Sequence, residues 1–317
     1  MTQSEAFVGI DVAKHELVVH IHPQGTAYSF ANTPDGRADL IRCLRRIGRR
    51  CTLRIGFEAS GGYERKLAIL LEKKGFEAYL LDAGRVHAFG RAEGKMAKTD
   101  PLDAALIARA LAALHGDLEP WRHDPLAERM GERVRLREAL VAQMVQWAGH
   151  LESLADPAMR RLISGQIARI KALILRFEQA IAGLLAEAPE LAQREKLLRS
   201  APGVGPIVAA TLLAHMPELG SLSSRQVAAL AGLAPFDRQS GAIRKPGHCR
   251  GGRPAVRRVL YLAALSIIRS GKSPLANLAM KLKDNGKPPK VAIIATARKL
   301  LVALNAMSKN NESFKCA

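Results

Sequence analysis

The sequence predicts an α/β domain, then a long helical spacer, then a mostly helical and strongly basic domain. Three observations carry this. Short β-rich runs alternate with helically spaced runs over the first third; an apolar seam recurs at steps of three and four in the middle; and positive charge of one sign gathers towards the end. A chain of 317 residues has room for two or three units, and the boundaries read here are 1–115, 116–196 and 197–317.

In chain order, FVGIDV and ELVVHI are two short strands separated by AKH, a hairpin with Asp11 near the end of its first strand. RADLIRCLRRI has helical spacing. TLRIGF is strand-like and runs into Glu58 and the turn ASGG, GYERKLAILLEKKG is an amphipathic helix, and EAYLLD is a strand. KTDPLDAALIARAL opens a helix with Thr99 as N-cap and Asp100 and Pro101 in the first turn, where proline is tolerated. Asp100 and Asp103 then share one helix face.

After a break at WRHDPL, Leu136, Leu140, Met144, Trp147, Leu151 and Leu154 recur at helical steps, Asp156 and Pro157 interrupt, and a second series runs from Ile163 to Leu184. Such a heptad-like seam predicts an antiparallel helical hairpin or coiled-coil spacer that could also dimerise the protein. LLRSAPGVGPIVAATLLAHM reads as two helices joined by a hairpin. Gly203 and Gly205 there allow tight turns and expose backbone N–H groups at a helix start, a phosphate cradle independent of base sequence, or else a purely structural turn. PGVGP is neither a Walker loop nor a full GxGxxG, which argues against a nucleotide cofactor. Ser240 follows in a polar, glycine-bounded loop, RQSGAIRK, where nothing local would lower its pKa and a turn role competes with a nucleophilic one.

Carboxylates beside buried strands cost several kcal/mol unless paired or metal-bound. The pair Asp100 and Asp103 alone could serve the helix dipole, and Glu58 alone could cap its turn. Neither explains Asp11, whereas a hard divalent ion such as Mg²⁺, bound by acids from separated elements, accounts for all four. Two such ions about 4 Å apart activate a nucleophile and stabilise the leaving oxygen of a phosphodiester.

Charge points to the same substrate. With 48 Lys and Arg against 29 Asp and Glu, the formal net charge is +19. From Arg238 to Lys299 there are fifteen Lys or Arg and one acid, Asp284, as expected of a phosphate-contacting face. Neither an apolar stretch of about 18 residues nor a secretory signal is expected from the sequence, and so no membrane partner. Cys43, Cys51, Cys249 and Cys316 form no CxxC pair, which argues against a zinc site or a disulfide framework and fits a reducing, cytoplasmic compartment. His20 and His22 share a strand face without a metal motif, and with aromatics at 4% base stacking is not the main mode of recognition.

The ordered set GIDVAKHE, GFEASGGYE, KTDPLDAALIA, APGVGPIVAATLLA and GLAPFDRQSGAIRKPGHCRGGRPAVRRVLY, with a helical spacer between its halves, resembles the bacterial insertion-sequence transposases of the one-ten family over nearly the whole chain. The resemblance implies a ribonuclease-H-like N-terminal domain similar to the resolvase RuvC, with Asp11, Glu58, Asp100 and Asp103 as metal-binding carboxylates for Mg²⁺ or Mn²⁺. It implies Ser240 as a nucleophile forming a phosphoserine ester with DNA, and Lys245, Arg250, Arg253, Arg257 and Arg258 as phosphate contacts. Element-end and target DNA, a guide RNA from the element's own ends, and a homodimer or tetramer acting at the nucleoid follow as partners. Carboxylates and serine must then meet around one phosphate, from one subunit or two. The alternatives are a two-metal junction endonuclease that uses water, and a non-catalytic nucleic-acid-binding protein.

Overall fold

The computed structural model describes residues 4–94, 100–240 and 243–315, without the side chains of 100–101, 236–240 and 243–247. Thr99, the expected N-cap, and Cys316 lie outside the described residues, as do the side chains of Asp100, Ser240 and Lys245. The chain forms two compact units, 1–124 and 125–317.

The first unit is a five-stranded sheet of order β3-β2-β1-β4-β5. Strands β1 (Glu5–Val12), β2 (Glu16–His22) and β3 (Thr26–Ala31) form an antiparallel meander; β4 (Thr52–Glu58) and β5 (Ala78–Leu81) extend it in parallel with β1. A short loop joins each antiparallel pair, whereas the parallel additions need the crossover helices α1 (Pro34–Gly48) and α2 (Arg65–Lys73). Alternation decides the faces. Val8, Ile10, Val19, Ile55 and Phe57 pack against Leu40 and Leu44 of α1 and Leu67 and Leu71 of α2. The other face takes α3 (Ala83–Ala92) and α4 (Asp100–Leu114), through Tyr79, Leu81, Val86, Ile107 and Leu111.

The expected β1–β2 hairpin, α1, β4, α2 and β5 are all present, making the unit mixed α/β. Neither β3 nor α3 was expected from the sequence. β3 is an edge strand whose residues are all exposed or half-exposed, and α3 carries two glycines in AGRVHAFGRA. The backbone N–H of Trp121 donates to the Ala78 carbonyl (2.7 Å), so the chain remains part of this unit past residue 115.

Among the described residues, the second unit is helical apart from one β-hairpin. Its first two helices, α5 (Pro125–Ser153) and α6 (Pro157–Ala186), are antiparallel, because Arg129 pairs with Glu187, Arg137 with Glu178 (2.6 Å), and Arg160 donates to the Leu151 and Leu154 carbonyls. Asp156 caps α6 through the Ala158 N–H, and Pro157 takes the first helical position. The remaining helices are α7 (Pro189–Arg199), α8 (Pro206–His215), α9 (Ser224–Leu230), α10 (Pro254–Ser270), α11 (Pro274–Asp284) and α12 (Pro289–Asn310), with β6 (Pro235–Ser240) and β7 (Ile243–Cys249) between α9 and α10. The segment expected as a polar loop is thus largely a hairpin, in which Ser240 pairs with Ile243. Its Gly, Pro and basic residues hide the strand signal.

Helix α12 has the length and mean hydropathy, 1.5, of a membrane span, contrary to the expectation that no such stretch exists. It is a core helix: Ala297, Leu300, Leu301 and Leu304 are fully buried against α7, α9, α10 and α11.

Candidate functional site

Two adjacent parallel strands set the carboxylates side by side. The β1–β4 register pairs Gly9 with Gly56 and Ile10 with Phe57, so the next residues along are Asp11 and Glu58. Side chains alternate, which puts Asp11 on the face of Gly9 and Glu58 on the face of Gly56, the face covered by α4.

The two glycines explain how close that helix comes. A Cβ at Gly9 would fall onto the Ala104 carbonyl oxygen and the Ala108 amide nitrogen, and one at Gly56 would sit 2.8 Å from Leu81 Cδ1 and 3.1 Å from Leu111 Cδ2. Ala104 and Ala108, both fully buried, complete the small-residue contact. Helix α4 therefore lies backbone to backbone on β1, and Asp103, one residue before Ala104, comes within electrostatic range of Glu58. Asp100 begins the same helix one turn earlier.

Glu58 registers this crowding. Its pKa is raised, first by burial and then by the negative charges of Asp11, Asp103 and Asp82, against which His87 acts. Asp82 and His87 belong to the start and middle of α3, and neither was singled out in the sequence. Asp82 is also the N-cap of α3, accepting from the Arg85 N–H (2.9 Å).

Among the described residues no group of three or more His, Cys, Asp and Glu side chains is gathered into a chelating set. The convergence is electrostatic: the negative charges of Asp11, Asp103 and Asp82 raise the proton affinity of Glu58, and a divalent cation relieves this. In donor chemistry the residues fit Mg²⁺ or Mn²⁺. His20, opposite Gly9 on β2, has a lowered pKa through burial, Arg109 and His22.

The glycines of the second unit have separate roles. Gly203 has φ +74°, and a Cβ there would meet the Ala263 carbonyl oxygen at 2.7 Å, so it is required by the turn and by the approach of α10. Gly205 is the N-cap of α8 with open space around it.

The β6–β7 hairpin is clasped at its base. A Cβ on Gly252 would lie 2.7 Å from the Leu230 carbonyl oxygen and collide with Gly232, and the Arg253 N–H donates to the same Leu230 oxygen. Arg253 also forms a two-pronged ion pair with Glu218 (2.6 and 2.7 Å) and donates to the His215 carbonyl (2.6 Å). Arg257 donates to the Gly251 carbonyl (2.6 Å). These arginines, expected to meet phosphate, direct donors into the protein. Arg250 and Arg258 are exposed, and Lys245 stands opposite Arg238 in the hairpin.

Next to the clasp, Glu138 Oε1 and His215 Nε2 are buried without hydrogen-bond partners among the described residues. Burial raises the Glu138 pKa, opposed by Arg258, Arg137 and Arg135, and lowers that of His215, to which Arg135 and Arg253 add. For Glu218 burial acts upward, but the Arg253 hydrogen bonds and charge outweigh it and the pKa falls. A histidine whose folded pKa lies below its unfolded value, about 6.5, binds fewer protons folded than unfolded. Its contribution to stability is present above that value and declines as pH falls through it. Melting followed by circular dichroism from pH 7.5 to 5.5 should show a decline in Tm, shallower in His215→Gln.

The family model described as "Transposase", for the DEDD transposases of this type, matches residues 8–159, and that described as "Transposase IS116/IS110/IS902 family" matches residues 195–278. The chain is 28% identical over 319 residues to the pilin gene-inverting proteins of Moraxella lacunata and Moraxella bovis, spanning 98% of each chain. It is 31% identical over 187 residues, 56% of this chain and 46% of the other, to a putative transposase of Sinorhizobium fredii, y4rJ.

Proposed function

Because the chain belongs to the IS110 family of insertion-sequence transposases and is an enzyme acting on DNA, we propose that it cuts and rejoins DNA strands with a carboxylate-held divalent cation and Ser240 as nucleophile. The observation that carries this is the in-register placement of Asp11 beside Glu58 under the helix bearing Asp103.

In this reading the first unit is a ribonuclease-H-like domain, to which its mixed sheet order is suited, and Asp11, Glu58, Asp100 and Asp103 hold Mg²⁺ or Mn²⁺. When bound, the cation supplies Lewis-acid polarisation of the scissile phosphate. The Ser240 hydroxyl gives up its proton as its Oγ–P bond forms, the P–O bond to the departing strand breaks, and the departing oxygen takes a proton. Ser240 ends a strand of a basic hairpin whose base is fixed by Arg253 and Arg257, which supports precise presentation of a hydroxyl to a phosphate. Gly203, Gly205, Lys245, Arg250 and Arg258 contact backbone phosphates.

The functional division 1–115, 116–196 and 197–317 separates metal domain, spacer and serine domain, the spacer serving a dimer or tetramer. A guide RNA from the element's ends selects element-end and target DNA, in the cytoplasm at the nucleoid. The relatives described as pilin gene-inverting support recombination between two sites.

The test is a denaturing gel of the protein with Mg²⁺, labelled element-end and target DNA, and RNA transcribed from the flanking sequence. Label shifted to the protein's mass in wild type and absent in Ser240→Ala is the expected result. Free cleaved DNA from both proteins, with no adduct, would mean a junction endonuclease that uses water.

A further inference from the structure

At the end of the sheet opposite Asp11 and Glu58, the β2–β3 hairpin and the last turn of α1 enclose a cleft of about 560 Å³. Gln24, Thr26 and Tyr28 form one wall and Arg46, Arg49 and Arg50 the other, over a floor that includes Ile21 and Ile47. Glu5 begins β1 at this end, and six residues at about 3.3 Å each put the cleft roughly 20 Å from the carboxylates.

The charge here stands out against its surroundings. Residues 1–124 carry 18 Lys and Arg against 16 Asp and Glu, yet five arginines fall between residues 42 and 50 with no acid among them. Nearby arginines are spoken for: Arg42 pairs with Asp39, and Arg54 with Glu5 and Glu77. Among the described residues the Arg46, Arg49 and Arg50 side chains make no hydrogen bond or ion pair, and no acid lines the cleft. The helix dipole accounts for Arg45 and Arg46 in the last turn of α1, but Arg49 and Arg50 follow the end of the helix.

We propose that this cleft binds a nucleotide unit within a nucleic-acid strand. The guanidinium forks take successive phosphates, and Tyr28 and Ile47 receive a sugar or base. An apolar floor beneath unpaired arginines suits a nucleotide better than a bare anion. At about 3.4 Å per nucleotide the cleft lies some six steps from the carboxylates, so it takes either the flank of the strand being cut or a second strand.

The test is fluorescence anisotropy of the full-length protein with labelled single strands of about 20 nucleotides, one DNA and one RNA, without divalent metal and over a salt series. Each single-strand phosphate contact contributes about 0.7 to the log–log salt slope, so three lost contacts should flatten it by about 2. The Arg46→Ala/Arg49→Ala/Arg50→Ala protein should bind at least about tenfold more weakly near 0.1 M salt, whereas Arg42→Ala/Arg45→Ala, on the same helix outside the cleft, should stay within about twofold. A loss confined to DNA or to RNA identifies the strand, and a loss with both identifies the shared backbone. Wild-type affinity and slope in the triple variant, or an equal loss in the control pair, overturns the proposal. Should the triple variant misfold, Arg49→Ala/Arg50→Ala gives the same comparison. Binding is read without cleavage, so the outcome is independent of the role of Ser240.

Discussion

Glu58→Gln protein is expected to lose strand cleavage by about a thousandfold or more, about 4 kcal/mol of transition-state stabilisation, while the metal-free protein becomes no less stable than wild type. The substitution keeps the shape of the side chain and removes one negative charge from beside Asp11 and Asp103. The sign is set by the raised pKa of Glu58: its favourable contribution to folding is present below its unfolded value, about 4.5, and is lost as pH rises through its folded value. The ionised form of the wild-type group therefore works against the fold, and the amide does not. Added Mg²⁺ should raise the Tm of wild type and leave that of Glu58→Gln nearly unchanged. Adduct formation with labelled DNA, paired with melts in EDTA and in Mg²⁺, checks both halves. A variant that cut normally, or that lost activity only through a lower Tm, would separate Glu58 from the chemistry.

Gly9→Val is expected to have the largest effect on folding. The added Cβ meets main-chain atoms of Ala104 and Ala108, not the end of a flexible side chain, so α4 has to leave the sheet or the strand has to bend. Overpacking in a well-formed core typically costs about 1–3 kcal/mol, and a backbone collision with no rotamer to give way belongs at or above the top of that range. The expected readout is a Tm lowered by about 10 °C or more in the first unit's transition, or insoluble protein, with Gly9→Ala already measurably destabilised. Gly25→Ala, whose added methyl meets nothing within 4 Å, should be much milder; φ +73° there accounts for what cost remains.

Asp11 and Glu58 were legible because one stands in an apolar run and the other closes one, and a charge there demands a reason; Asp100 and Asp103 showed as a pair on one face of a helix start. What brings them together was not legible. Gly9 and Gly56 in strands signal some close approach, but only the register shows that both lie side by side under one helix, each two residues before its acid on the same face. His87 and Asp82 were missed because α3, with its two glycines, gives a weak helical pattern. The β6–β7 hairpin was missed because basic and turn-forming residues mask strand alternation. The arginines near residue 253 read as one phosphate-seeking group, since a run of charge says nothing about where its donors end. Glu218, the partner of Arg253, lies 35 residues away in the sequence. Likewise the bunched arginines of residues 42–50 look like the solvated end of a helix until the β2–β3 hairpin is seen to face three of them.

The α5–α6 hairpin leaves the second unit's core and comes back to it. Met130 and Val134 at its outgoing end and Ile181, Leu184 and Leu185 at its returning end belong to that core, while the exposed Val145, Met159 and Leu162 lie towards its tip. Matched deletions of whole turns from both arms, taken between Ile170 and the tip, would therefore move the tip inward by about 5.4 Å each and leave the contacts of that core in place. The hairpin is a ruler that the rest of the fold does not read.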